Sequence, residues 1–157
     1  MVGLPRRGER LTNPVQELPV AEFGFPRTDL RRRLVAAILD GTKTATAGLL
    51  VDLEREGSTP AVVGSCSVVI DEADRAVAVI EITEVTVRRM ADVDLAFARD
   101  EGEGFETVAA WREAHERFFG SYLADIQADL RDPSWQLGDD TLIVCERFRV
   151  VERLDGG

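Results

Sequence analysis

Between Thr28 and Gly41 the apolar positions Leu30, Leu34, Ala37 and Ile38 recur every three or four residues, which predicts an amphipathic helix. Thr28 or Asp29 can cap its start, and Gly41 is placed to take the left-handed conformation that ends it. A short apolar run through Leu49, Leu50 and Val51 follows, then a polar stretch with Glu54, Glu56, Gly57, Ser58 and Pro60 that reads as a surface loop. Beyond it Val and Ile dominate. Residues 62–70 and 76–87 predict two strands, joined by the five-residue hairpin connection 71–75.

Residues 141–151 alternate again, with Leu142, Val144, Phe148 and Val150 on one side and Ile143, Cys145, Arg147 and Arg149 on the other, so a strand is expected near the C-terminus. Before it lie a short helix over 93–98, the acidic glycine-rich turn 100–104, and a longer helix carrying Val108, Trp111, His115, Phe118, Phe119 and Tyr122 at helical spacing. Strands grouped in a run, without a helix after each, predict an α+β fold on a mostly antiparallel sheet. Residues 1–22 hold three of the six prolines and no sustained period; they are expected to form an extended arm ahead of a single domain over 23–157.

Composition narrows the function. The chain of 157 residues has 45% apolar and 31% charged side chains, enough for one core. Neither a membrane span nor a signal peptide is legible, so a cytoplasmic protein is expected. Cys66 and Cys145 stand apart in apolar segments and read as free buried thiols. A net charge of -10 argues against coating nucleic acid. The charge is uneven, however: residues 1–33 carry seven Arg against four acids, and residues 91–157 seven Arg against sixteen. Arg27, Arg31, Arg32 and Arg33 are therefore the patch a polyanion would meet.

The chain has no phosphate loop, dinucleotide fingerprint or His-Glu-x-x-His, and its single histidine leaves no multi-histidine metal site; no metal and no cofactor are expected. What stands out is that eighteen of nineteen cationic residues are arginine, while the one lysine, Lys43, falls in Gly41-Thr42-Lys43-Thr44-Ala45-Thr46. A lysine amine loses its proton when desolvated and a guanidinium does not. A neutral Lys43 within reach of Thr46 would activate its hydroxyl as in Ser-Lys hydrolases, although in a regular strand the two would point to opposite faces. Burial would be needed, because the end of the preceding helix favours the ammonium. Glu101 and Glu103 in the glycine-rich turn are candidates for the accompanying carboxylate.

The run 41–46 resembles the Gly-x-Lys-x-x-Thr signature of the ASCH domain, a small relative of the PUA RNA-binding fold. Gly64 before a strand, Ile80-Glu81-Ile82-Thr83-Glu84-Val85, the stretch 98–104, Trp111-Arg112-Glu113-Ala114-His115 with Phe118-Phe119, and Glu146-Arg147-Phe148 follow in the family's order, over residues 23–151. The resemblance implies a PUA-like, mostly antiparallel β-barrel with flanking helices and a cleft facing the signature lysine. It further implies an amidohydrolase of N4-acetylcytidine or a similar small amide, with Lys43 as base, Thr46 as nucleophile and Glu101 as orienter or acid. Thr44, Glu103, Trp111, Arg112 and His115 are the expected substrate-binding residues, with Trp111 offering a stacking face to a base. Family members that cut or bind RNA imply the alternatives, a ribonuclease on single-stranded RNA or a non-catalytic RNA-binding module. The chain has Ala47 and Gly48 where the small amidohydrolases carry an arginine, and it adds the helix around 111–122.

Overall fold

The computed structural model describes residues 15–154. Strands β1 (Val20–Ala21), β2 (Ala45–Leu49), β3 (Cys66–Ile70), β4 (Ala76–Arg89) and β5 (Leu142–Arg153) form one curled sheet in the order β1-β3-β4-β5-β2. Every pairing is antiparallel except β1 with β3. Helices α1 (Asp29–Asp40), α2 (Leu50–Arg55), α3 (Leu95–Asp100), α4 (Val108–Gly120) and α5 (Leu123–Leu130) pack around it, so the chain is an α+β half-barrel with flanking helices. Among the described residues no helix is long and apolar enough to cross a membrane.

Helix α1 forms as its pattern dictates. The Thr28 hydroxyl accepts from the Arg31 amide, and Gly41 closes the helix at φ +87°. The hairpin 71–75 also lies where expected, fixed by the Asp71 carboxylate, which accepts from the amides of Ala73 and Arg75.

The long pair β4–β5 crosses two cores, which explains the mixed alternation of β5. Ile143 and Cys145 face a cluster built with Phe97, Trp111, Phe119 and Ile126 from the helices α3 to α5. Phe148 and Val150, of opposite parity, face a second cluster with Phe23, Val35 and Ile38 on the α1 side. On β4, Ala78, Ile80 and Ile82 enter that second cluster, and Val85 then joins it one position out of step. The offset comes from an extra residue at Thr83, between the pairs Ile82–Phe148 and Glu84–Arg147.

Several expectations need correction. The strand expected from Val62 begins at Cys66, because Gly64 at φ +92° turns the chain and leaves Val62 73% exposed. Strand β4 continues to Arg89, and helix α5 is an element the sequence pattern did not separate from its neighbour. Of the expected arm, residues 1–14 lie outside the described residues, whereas Val20–Ala21 pairs with β3. The basic patch is thinned by burial and local pairing, with Arg32 and Arg33 sharing one carboxylate. Arg31 is fully buried and donates to the carbonyls of Phe23 and Gly24, while Arg27 pairs with Asp74, and Arg32 and Arg33 with Asp29. A helix position three residues after the cap points inward here, and exposed pairs with carboxylates leave little field for a polyanion.

Candidate active site: a cleft around Lys43

The junction between α1 and β2 is knitted to the end of α3. The Lys43 amide donates to the Ala37 carbonyl at the end of α1, and the Thr44 amide to the Asp100 carbonyl. Gly102, at φ +71°, lies so close that an added Cβ would sit 2.5 Å from the Thr42 carbonyl oxygen and 2.6 Å from Lys43 Cα. The glycine of the acidic turn thus serves close backbone approach to the lysine segment.

These contacts hold the Lys43 side chain in the interior, only 2% exposed. Its Nζ donates to the carbonyls of Ala45 (2.8 Å) and Glu101 (3.1 Å), lies 3.8 Å from Oε2 of Glu103, and sits 5.9 Å from the centre of the Phe23 ring. Burial lowers the pKa of the amine against the opposing pull of Glu101 and Glu103. Burial likewise raises the pKa of Glu103, against Lys43. Both partners are shifted toward their neutral forms, so this close pair is less ionic than its separation suggests.

Glu101 caps the C-terminal end of α3 and is buried. Its Oε2 accepts from Trp111 Nε1 at 2.5 Å and faces His115 Nε2 at 3.1 Å; His115 Nδ1 lies 2.8 Å from the Trp111 carbonyl. Lys43, Thr46, Glu101, Glu103 and His115 all line one open cleft of about 1210 Å³. A family model, described as the ASCH domain, matches residues 21–152. The chain belongs to the ASCH domain family.

Solved structures agree. A crystal structure of a protein from Enterococcus faecalis V583 shares 31% identity with a TM-score of 0.75, covering 86% of this chain and 77% of that one. The ASCH domain from Lactobacillus crispatus JV V101 shares 32% identity with a TM-score of 0.65, covering 76% and 70% respectively. A hypothetical protein, PH0355, at 11% identity and a TM-score of 0.50, shares the fold alone, over 78% of this chain and 94% of its own. Among curated proteins none matches the chain.

In this ASCH domain the cleft gathers only some of the residues its sequence suggests. Trp111 is fully buried, with one ring face stacked on His115 at 4.2 Å and its indole N–H committed to Glu101, so it offers no face to a base. Thr44 lies outside the cleft lining, its hydroxyl 3.4 Å from the Asp100 carbonyl oxygen. Arg112 turns away to Glu116 and Asp139. Trp111 and Arg112 miss for one reason, because helix α4 turns position 111 into the core and position 112 away from the cleft, whereas Thr44 is held at the α1–β2 junction by the Asp100 carbonyl.

The cleft also holds residues that sequence reasoning passed over. Phe23 and Phe25 form one wall, tethered by Arg31; Phe25 stacks on Phe118 at 4.9 Å and remains 42% exposed. The available signal was two aromatics flanking Gly24 just ahead of a helix cap. Among the described residues, Glu101, Glu103 and His115 place donor atoms within 4.8 Å of one another. With Trp111 donating to Glu101 and both His115 nitrogens facing acceptors, Trp111, Glu101 and His115 make a hydrogen-bonded network with no histidine lone pair directed at a cation, and Glu103 stands beside it, nearest Lys43.

Trp111→Phe is expected to remove the indole N–H from Glu101 Oε2, leaving His115 as that oxygen's one remaining partner, and to open a cavity beside the smaller ring. A loss of about 1–3 kcal/mol is expected, to be read as a lower urea midpoint.

Proposed function

We propose that this ASCH domain hydrolyses a small amide of nucleoside type, such as N4-acetylcytidine, in the Lys43 cleft. The observation that carries the reading is the setting of the amine. Nζ is buried at the cleft, and two of its N–H bonds are taken by the carbonyls of Ala45 and Glu101. Burial favours the neutral amine, whose lone pair then occupies the remaining direction. Thr46 lines the same cleft. No hydrogen bond joins Nζ to Thr46 among the described residues, so a substrate or a rotamer change must close that distance.

In the proposed reaction Thr46 Oγ1 attacks the acyl carbon and Lys43 takes its proton. The C–N bond breaks as that proton passes to the leaving amine, giving cytidine and an acyl-threonine; water, losing its proton to Lys43 or Glu101, then attacks the acyl carbon, the ester C–O bond breaks with that proton returning to Thr46 Oγ1, and the acid leaves. The partly exposed ring of Phe25 offers the stacking surface that Trp111 lacks. A lining in which Glu22, Asp52, Glu56, Asp125, Glu101 and Glu103 alternate with Arg33, Arg55 and Arg117 offers no continuous basic track, which suits a neutral ligand better than RNA.

The test is to incubate the protein with N4-acetylcytidine and with short single-stranded RNA, following cytidine release and chain scission beside Lys43→Ala, Thr46→Ala and Glu101→Ala. Cytidine release by the parent and its loss in all three variants is the expected result. RNA scission alone selects the ribonuclease, binding without product selects a recognition module, and product persisting in all three variants overturns the assignment.

A further inference from the structure

The three groups around Glu101 carry a proton inventory that fixes a role for the chain's only histidine. A main-chain carbonyl can only accept, so His115 Nδ1, 2.8 Å from the Trp111 carbonyl, must bear hydrogen. Nε2 faces Oε2 of Glu101 at 3.1 Å. Two arrangements satisfy that contact: an imidazolium donating to a carboxylate, or a neutral ring accepting from a carboxylic O–H. The second is disfavoured by Trp111, whose indole N–H reaches the same oxygen at 2.5 Å. A carboxylate oxygen accepts two donors readily, whereas a hydroxyl oxygen already donating to an imidazole is a weak acceptor.

We infer that His115 stands as an imidazolium and is the positioning residue of Glu101, clamping one oxygen of that carboxylate together with Trp111 while the other stays available to the cleft. This rests on the amide-hydrolase reading for its catalytic consequence but not for its charge state.

The surroundings agree. Trp111 lies parallel to the His115 ring at 21° and 4.2 Å, an arrangement that favours a cationic ring, and Phe105 and Phe119 flank it at 5.7 Å. The titratable groups that face it are Glu101, from the end of α3, and Glu103, from the turn that follows. Lys43 Nζ lies 3.8 Å from Oε2 of Glu103 and donates to the Glu101 carbonyl. Burial alone would lower the pKa of the imidazole, but the hydrogen bond and charge of Glu101 outweigh it, aided by the Trp111 carbonyl and Glu103, so the pKa is raised. Its contribution to stability is then fully present below the unfolded value, about 6.5, and is lost as pH rises through the higher folded-state value.

Among the described residues Glu101 Oε1 has no hydrogen-bond partner, so the clamp on Oε2 leaves the other oxygen to serve the water or the amine. Position 115 thus acts on the reaction through Glu101 and touches no reacting atom.

A single histidine makes the experiment direct, because its ring nitrogen-15 signals need no assignment. Without substrate, both nitrogens are expected in the protonated range at pH 7, with a midpoint above 6.5, and Glu101→Gln is expected to bring the midpoint below it. With N4-acetylcytidine, His115→Gln keeps one donor but no charge; kcat is expected to fall about tenfold with KM little changed and the acid limb of the pH profile displaced. A neutral ring at pH 7, or a midpoint that Glu101→Gln does not move, overturns the inference. Because the charge is read on the free protein, failure to hydrolyse any amide would sink only the functional reading. A neutral ring in an active enzyme would sink only this one.

Discussion

Lys43→Arg is expected to abolish cytidine release, with a loss of about 10²–10⁴-fold or more, the range that a positioned acid–base group supplies. Two physical effects act together. The guanidinium keeps its charge at any ordinary pH, so it cannot take a proton from Thr46. It is also larger and planar, and the space around Nζ is closed by the carbonyls of Ala45 and Glu101 and by Glu103. Lys43→Met separates these effects, since it fills a similar volume without charge.

Stability gives the companion reading. Because burial holds the folded-state pKa of Lys43 below its usual value of 10.5, its contribution to stability is present above that pH and lost as pH falls through the folded-state value. Lys43→Met removes that burial penalty but also the N–H groups given to the Ala45 and Glu101 carbonyls, so the two effects oppose and the variant is expected to melt close to the parent at pH 7 while being inactive. Retained turnover in Lys43→Arg would make the lysine a helix-end cap and end the catalytic reading.

Gly102→Ala is expected to be the most damaging glycine-to-alanine substitution among the described residues. The residue adopts φ +71°, where an L side chain costs about 1–2 kcal/mol. Its Cβ would also lie 2.5–2.6 Å from backbone atoms of Thr42 and Lys43, which no side-chain rotation relieves. Together a loss of about 2–4 kcal/mol is expected. Gly104 is the internal control: at φ +86° it shares the backbone strain, but nothing lies within 4 Å of its added Cβ. Gly104→Ala should lose only the conformational part, about 1–2 kcal/mol. Chemical denaturation of the two variants side by side measures the difference, and equal losses would show that the approach of the turn to Lys43 does not constrain the fold.

Local signals carried much of the architecture. Helix α1 was legible from its capping threonine, its three-and-four spacing and Gly41, because each of these acts within a few residues. The hairpin after β3 was legible for the same reason, an Asp side chain satisfying amides two and four residues on. The limits of β3 and β4 were less so. Gly64 cuts an apolar run that pattern alone extends to Val62, and a one-residue bulge at Thr83 changes which parity faces the α1 side. Both are backbone events with no hydrophobic signature.

The candidate site divides along the same line. The residue types needed for amide chemistry, a lone lysine near a threonine and a glutamate in a glycine-rich turn, stand in the order of residues, as do the ASCH motif and the helical stripe with Trp111 and His115. Sequence alone also determined the overall charge and the class of fold, since composition and periodicity are properties of the chain. Only the tertiary structure decided the surroundings of each group. It turned Arg31 inward to hold Phe23 and Gly24, gave Trp111 to Glu101 instead of to the cleft, and set Nζ of Lys43 among carbonyls contributed by β2 and α3. Several of these contacts span few residues, but the burial that sets protonation states, and the Lys43–Glu101 contact between residues 58 apart, exist only once the sheet has curled and the helices have closed over it.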